Sequence, residues 1–109
     1  MLKIDIKPIK GILFIRLSGR LNKTTIKKLN EVTKFIKKVG IKNIVFNITD
    51  LDYIDNDGIN AIFKNYQICQ KNNGQGFICI SKKNESILNN YEKLNIINDE
   101  LTAVKLINI

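Results

Sequence analysis

Four of the ten acidic residues in this 109-residue chain fall in one short stretch, as Asp50, Asp52, Asp55 and Asp57. The rest of the chain is strongly basic, with 18 Lys and Arg and a net charge of +8, so the cluster is a local exception. Carboxylates at this spacing could hold a divalent cation, carry a phosphoryl group or cap a helix. A calcium loop of the EF-hand type needs early oxygen ligands, a glycine for the sharp turn and a closing glutamate. With Gly58 as the loop glycine, Asp55 and Asp57 fall correctly, but Tyr53 takes the first ligand position and Lys64 the closing one. A lysine there opposes a cation, so the pattern excludes this loop. The chain has no His, which removes the commonest metal ligand and the commonest general base.

Phosphotransfer through an aspartyl phosphate would use Asp50-Leu51-Asp52 after a strand. That two-acid pattern is common, and the chain is too short for a phosphatase fold with its later lysine and acidic motifs. Capping fits better. A helix N-terminus carries partial positive charge and unpaired N–H groups, which Asp55 or Asp57 would satisfy. The same N–H groups make such a turn a natural place for an anionic switch.

The elements that would position this turn follow from hydrophobic periodicity. Leu2, Ile4 and Ile6 alternate with Lys3, Asp5 and Lys7, giving a strand with one wet face. Pro8 to Gly11 reads as a turn and Ile12 to Leu17 as a second strand, together a hairpin. Asn22 to Thr25 can cap a helix whose apolar face is Ile26, Leu29, Val32, Ile36 and Val39, ended by Gly40. Ile44 to Ile48 reads as a central strand, and Thr49 to Ile54 as a connection to the acidic turn. Ile59, Ile62, Phe63, Tyr66 and Cys69 mark one face of a second helix, stopped by Asn72-Asn73-Gly74. Phe77 to Ile80 is another buried strand. Ile87, Leu88, Tyr91 and Leu94 indicate a third helix held at its start by Ser81 to Asn84, and periodicity leaves Val104 to Ile107 open between strand and helix. The order β-β-α-β-α-β-α implies a mixed sheet with right-handed crossovers. Cys69 and Cys79 fall on apolar faces and read as buried small hydrophobes, not as a disulfide or metal pair.

No run of roughly 18 or more apolar residues is present for a membrane span, and the alternating N-terminus lacks the apolar core of a signal peptide. A cytoplasmic protein is expected. The basic excess is nearly all Lys, alongside abundant Ile and Asn, the signature of AT-rich coding. Arg, the better reader of phosphate and bases, occurs only at Arg16 and Arg20. A nucleic-acid-binding domain resting on Lys27, Lys28, Lys34, Lys37 and Lys38 is the alternative from a different functional class.

At the acidic turn the chain resembles the STAS domain family, the bacterial anti-sigma-factor antagonists. The family pattern is an apolar strand, a short connection and Asp-Ser-Ser/Thr-Gly opening an apolar helix. Here it reads Ile44-Val45-Phe46-Asn47-Ile48, then Leu51-Asp52-Tyr53-Ile54-Asp55-Asn56-Asp57-Gly58-Ile59. A second match is Gly-x-Leu-Asp-x-x-Thr before the first helix, here Gly19-Arg20-Leu21-Asn22-Lys23-Thr24-Thr25.

The resemblance implies an α/β STAS-like domain over residues 1–109, with a mixed four- to five-stranded sheet, an antiparallel N-terminal hairpin and three to four helices. It implies a non-enzymatic module, without cofactor or metal, that is a monomer or weak dimer. The implied partner is an anti-sigma factor or related ATPase-fold kinase, with no specific nucleic acid and no membrane insertion. Another signalling or transporter complex is the alternative assembly. The implied contact surface is the turn Asp55, Asn56, Asp57 and Gly58 with the loop bearing Asn22 and Thr25. In the family the second hydroxyl residue of the turn is phosphorylated by the partner kinase, and phosphate weakens docking. Here Asp57 stands at that phosphoacceptor-equivalent position, Asn56 replaces the preceding Ser, and Asn22 replaces the Asp of the other motif. A carboxylate cannot accept phosphate from a Ser/Thr kinase, so Asp57 is expected to imitate the phosphorylated state in part, with a fixed charge. Thr24 and Thr25 are the alternative hydroxyl acceptors for phosphate, and are expected instead to cap the first helix.

Overall fold

The computed structural model describes residues 1–88 and 95–107. Strands β1 (Leu2–Ile9) and β2 (Ile12–Leu21) form the expected antiparallel hairpin. Its turn is only Lys10 and Gly11, both at positive φ, so Pro8 and Ile9, expected in the turn, belong to the strand. Helix α1 (Ile26–Val39) crosses to β3 (Asn43–Ile54), and α2 (Asn56–Lys71) crosses to β4 (Gln75–Cys79). Then come α3 (Lys82–Leu88), a two-residue strand β5 (Ile96–Ile97) and α4 (Glu100–Ile107). The sheet order is β1-β2-β3-β4-β5, with every pair after the hairpin parallel. β3 is central, as its nearly continuous apolar run requires.

One face of the sheet is covered by α1 and α2. Leu29, Val32 and Ile36 from α1 and Ile59, Ile62, Tyr66 and Cys69 from α2 pack there on Ile15, Leu17, Phe46 and Ile48. Val39, expected on this buried face, is exposed, because α1 terminates beside it in the left-handed Gly40. The opposite face holds a smaller cluster of Ile12, Phe14, Val45, Phe77, Cys79 and Ile97, closed by Ala103 of α4. The tail left open by periodicity is therefore helical. Its start is capped by Asp99, whose Oδ1 accepts Thr102 N at 2.8 Å. Both thiols are buried, and burial pushes Cys69 up to about 11 and Cys79 up to about 12, so both are protonated at neutral pH. The start of α3 is held as expected, with Asn84 Oδ1 accepting Ser81 N at 3.0 Å. The expected third-helix positions Tyr91 and Leu94 lie outside the described residues.

The segment expected to be a connection, Thr49 to Ile54, continues β3 instead. Against β2 it carries two register shifts, each inserting one extra residue in β3: Arg16 and Ser18 pair with Asn47 and Asp50, while Gly19 and Arg20 pair with Leu51 and Tyr53. Two bulges convert the alternation of a strand into a spacing of three, so Ile48, Leu51 and Ile54 all reach the same core. A spacing of three has no strand periodicity, which is why the sequence reads as a loop there.

The second face is fixed by a polar clamp. Arg16 Nε and one terminal nitrogen donate to the two Glu100 carboxylate oxygens at 2.9 and 2.7 Å. Asn47 Nδ2 donates to Glu100 Oε2 at 2.9 Å. The hydrogen bond from Arg16 is the main cause holding the Glu100 carboxyl below its ordinary value, and the ion pair and Asn47 act in the same direction. A depressed carboxylate contributes stability that is complete above its unfolded value and is lost as pH falls through its folded value. Glu100→Gln is expected to destabilise the protein by about 1–2 kcal/mol at neutral pH. In denaturant titrations across pH, that deficit should shrink as the solution is acidified below the ordinary glutamate range.

Candidate functional site

The acidic turn is built by the first residues of α2. Asp55 has an extended backbone at φ −106° and ψ −177°, and its Oδ1 accepts the N–H of Gly58 at 2.8 Å. This is an N-cap geometry, so the capping reading of the sequence holds for Asp55. Asn56 and Asp57 follow in the first turn of the helix, both exposed. Asp57 lies where the helix N-terminus favours negative charge. Gly58 is buried, and its need for glycine is one of space: a Cβ would sit 2.8 Å from Leu21 O and 2.9 Å from Leu21 Cγ. The glycine lets the start of α2 lie directly on the end of β2.

The other loop, after β2, is tied down by its own polar atoms. Asn22 Oδ1 accepts Thr24 N at 3.0 Å and Thr25 N at 3.1 Å. Asn22 therefore closes the turn that leads into α1. Thr25, the N-cap residue of α1 by backbone position, makes no side-chain cap bond. Its hydroxyl donates to Arg20 O at 2.8 Å and accepts from Asn22 N at 2.9 Å, closing the loop back onto β2. The Thr24 hydroxyl is exposed and donates to Asn22 Oδ1 at 2.8 Å. The expectation of capping hydroxyls is thus corrected: no side chain among the described residues caps α1, the short amide of Asn22 holds the turn before it, and the threonine hydroxyls brace that turn.

The structure brings the two loops together through Asp55. Its backbone N donates to Leu21 O at 3.2 Å, and its Oδ2 accepts Lys23 N at 3.3 Å. Asp55, Asn56, Asp57 and Gly58 therefore share one surface with the loop bearing Asn22 and Thr25. Asp50 and Asp52 do not join them. Asp52 is ion-paired with Lys83 at 3.4 Å, and Asp50 lines a shallow cleft with Lys3, Asp5 and Arg16.

Two features of this surface escape sequence reading. The Arg20 guanidinium lies 4.3 Å from the centre of the Tyr53 ring, at the mouth of the same pair of loops. Their adjacency depends on the second bulge, which sets Arg20 opposite Tyr53, and no sequence spacing announces it. A shallow groove between α1 and α2 runs beside Asp57, lined by Ile26, Asn30, Thr33, Asn60, Ala61 and Lys64. The small Ala61 on an otherwise larger-residue face of α2 is the one sequence signal for it.

Asp55→Ala is expected to cost about 1 kcal/mol through loss of the cap, with Asp55→Asn costing less, since its one oxygen keeps the Gly58 bond while its amide nitrogen gives up the bond from Lys23 N. Gly58→Ala is expected to cost about 1–3 kcal/mol, because a backbone carbonyl must move. Urea unfolding of the three variants measures both effects.

The family model described as STAS domain matches residues 3–103. An anti-sigma F factor antagonist from Paenibacillus polymyxa is 25% identical over 79 residues, covering 72% of this chain and 68% of that protein. Among solved structures, an anti-sigma factor antagonist from Mycobacterium paratuberculosis superposes with a TM-score of 0.84 at 10% identity, covering 100% of this chain and 96% of that one. The anti-sigma factor antagonist SpoIIAA in its unphosphorylated form gives 0.79 at 13% identity, covering 97% and 98%. The two likenesses carry the fold, and the family match spans nearly the whole of it: this chain belongs to the STAS domain family.

Proposed function

We propose that this protein is a non-enzymatic binding module of the anti-sigma-factor-antagonist type, acting in the cytoplasm on an ATPase-fold anti-sigma factor and thereby on transcription. The observation that carries the reading is the junction of the two family motifs through Asp55, which exposes Asn56 and Asp57 at the start of α2. The docking surface would comprise that turn, the Asn22–Thr25 loop, the Arg20–Tyr53 pair and the groove beside Asp57. An exposed arginine stacked on an aromatic ring suits a protein contact, since both residue types are enriched at interface hot spots.

Phosphate at this turn would place about −1.5 to −2 charge on the contact surface. Asp57 places one charge there permanently, on a shorter side chain and with fewer acceptor oxygens. It would therefore hold the module in a weak-binding state that no Ser/Thr kinase can set or reset. Incubation with a cognate kinase and ATP is expected to leave the wild-type turn unphosphorylated by mass spectrometry, whereas Asp57→Ser acquires phosphate there. In pulldowns from the source cell, Asp57→Ser should capture an ATPase-fold protein that the wild type retains weakly. Phosphate on the wild-type turn, or equal capture by both forms, would refute the reading of Asp57.

A further inference from the structure

β1 is one edge of the sheet. The Lys10–Gly11 turn, with φ of 50° and 83°, makes Ile9 and Ile12 the closing hydrogen-bonded pair of the hairpin. Alternation from that pair turns the backbone groups of Leu2, Ile4, Ile6 and Pro8 away from β2. Two contacts agree with this. The Met1 carbonyl, in the inward set, accepts Arg20 N at 3.0 Å. The Leu2 carbonyl, in the outward set, accepts Lys28 Nζ at 2.6 Å. One end of the edge is thus occupied by Lys28, and Pro8 at the other end has no N–H to offer. Between them the backbone donors and acceptors of Ile4 and Ile6 face outward.

The side chains around this open stretch are sorted by face. On the helix side a shallow groove between β1 and α1 is lined by Ile4, Ile6 and Val32, with Lys28 and Glu31 at its rim. Ile6 is 40% exposed, and Phe35, on the same side of α1 as Lys28 and Val32, is 46% exposed. On the other side of the strand, Lys3 and Lys7 are exposed and flank Asp5, whose carboxylate faces Arg16 at 3.7 Å. Glu31 likewise faces Lys34 at 3.5 Å. Asp5 and Glu31 are therefore offset by neighbouring cations, while Lys3, which shares a shallow cleft with Asp50, and Lys7, whose charge helps lower the Glu100 carboxyl, make no ion pair among the described residues.

We infer that the β1 edge is a second docking site, for an extended acidic segment of another polypeptide in which acidic and apolar side chains alternate. Added as a further strand, such a segment would pair with the backbone of Ile4 and Ile6. Its apolar side chains would enter the Ile4–Ile6–Val32 groove, and its carboxylates would meet Lys3 and Lys7. A second copy of this chain fits poorly. A two-fold antiparallel pairing through Ile4 and Ile6 sets Lys3 opposite the second copy's Lys7 and Asp5 opposite its own counterpart. Sliding that register by one hydrogen-bonded pair runs onto Leu2, whose carbonyl Lys28 already holds, or onto Pro8. Two chains of net charge +8 also repel.

The test titrates the full chain with an end-blocked peptide alternating glutamate and valine, and with the same peptide carrying lysine for glutamate, followed by backbone amide NMR. The acidic peptide is expected to shift the Ile4 and Ile6 amides and slow their hydrogen exchange, and the basic peptide to do neither. Lys3→Glu with Lys7→Glu, which leaves the strand backbone intact, is expected to weaken binding by roughly tenfold or more. Ile6→Pro, which removes an outward N–H, is expected to weaken it similarly. Equal binding of both peptides, no binding, or shifts centred away from β1 would overturn the inference. So would protection of Ile4 and Ile6 in the peptide-free chain together with dimer in sedimentation, which would make a second copy the occupant.

Discussion

The close approach of α2 to the end of β2 is the constraint on which the candidate surface depends. Gly58 has no room for a Cβ, because the Leu21 carbonyl and side chain occupy that space. This contact sets the start of α2 against the β2–α1 loop, close enough for Asp55 to bond Leu21, Lys23 and Gly58 at once. One carboxylate therefore caps a helix and staples two loops. Asp57 is not part of that staple and lies exposed beside it, a charge on a platform braced by its neighbours.

The rest of the fold aims this platform. The two bulges in β3 keep Ile48, Leu51 and Ile54 in the core while the strand runs on to the turn, so the surface stands on a sheet strand and not on a free loop. Bulges recur beside functional sites because they re-aim the residues that follow. On the far face, the Arg16–Asn47–Glu100 clamp secures α4 over the smaller core. That face and the acidic turn are both built on β2 and β3.

Much of this was legible in the sequence, for physical reasons. The hairpin, the two crossover helices and the central strand follow from apolar periods that survive into the fold, and Gly40 and Asn72–Gly74 stop their helices as their types require. The Asp55 cap was legible because a carboxylate before an apolar helical face has few other uses. The second half of β3 was not, since bulges erase the alternation by which strands are recognised. β5 was missed because two residues carry no period, and the α4 tail was ambiguous because eight residues with one buried position barely establish one. The Arg20–Tyr53 stack depends on register, and the absence of a threonine cap on α1 on which short side chain reaches an N–H group, and neither is a property of spacing.

The role proposed for Asp57 rests on its charge and not on the shape of the turn. The most direct measurement is a calorimetric titration of the purified ATPase-fold partner with the wild type and with Asp57→Asn, which preserves size and helix position and removes only the charge. Tighter binding by Asp57→Asn, with the difference shrinking at high salt, is the predicted result. Equal or weaker binding by Asp57→Asn would contradict the account, because the carboxylate would then be neutral or favourable at the interface.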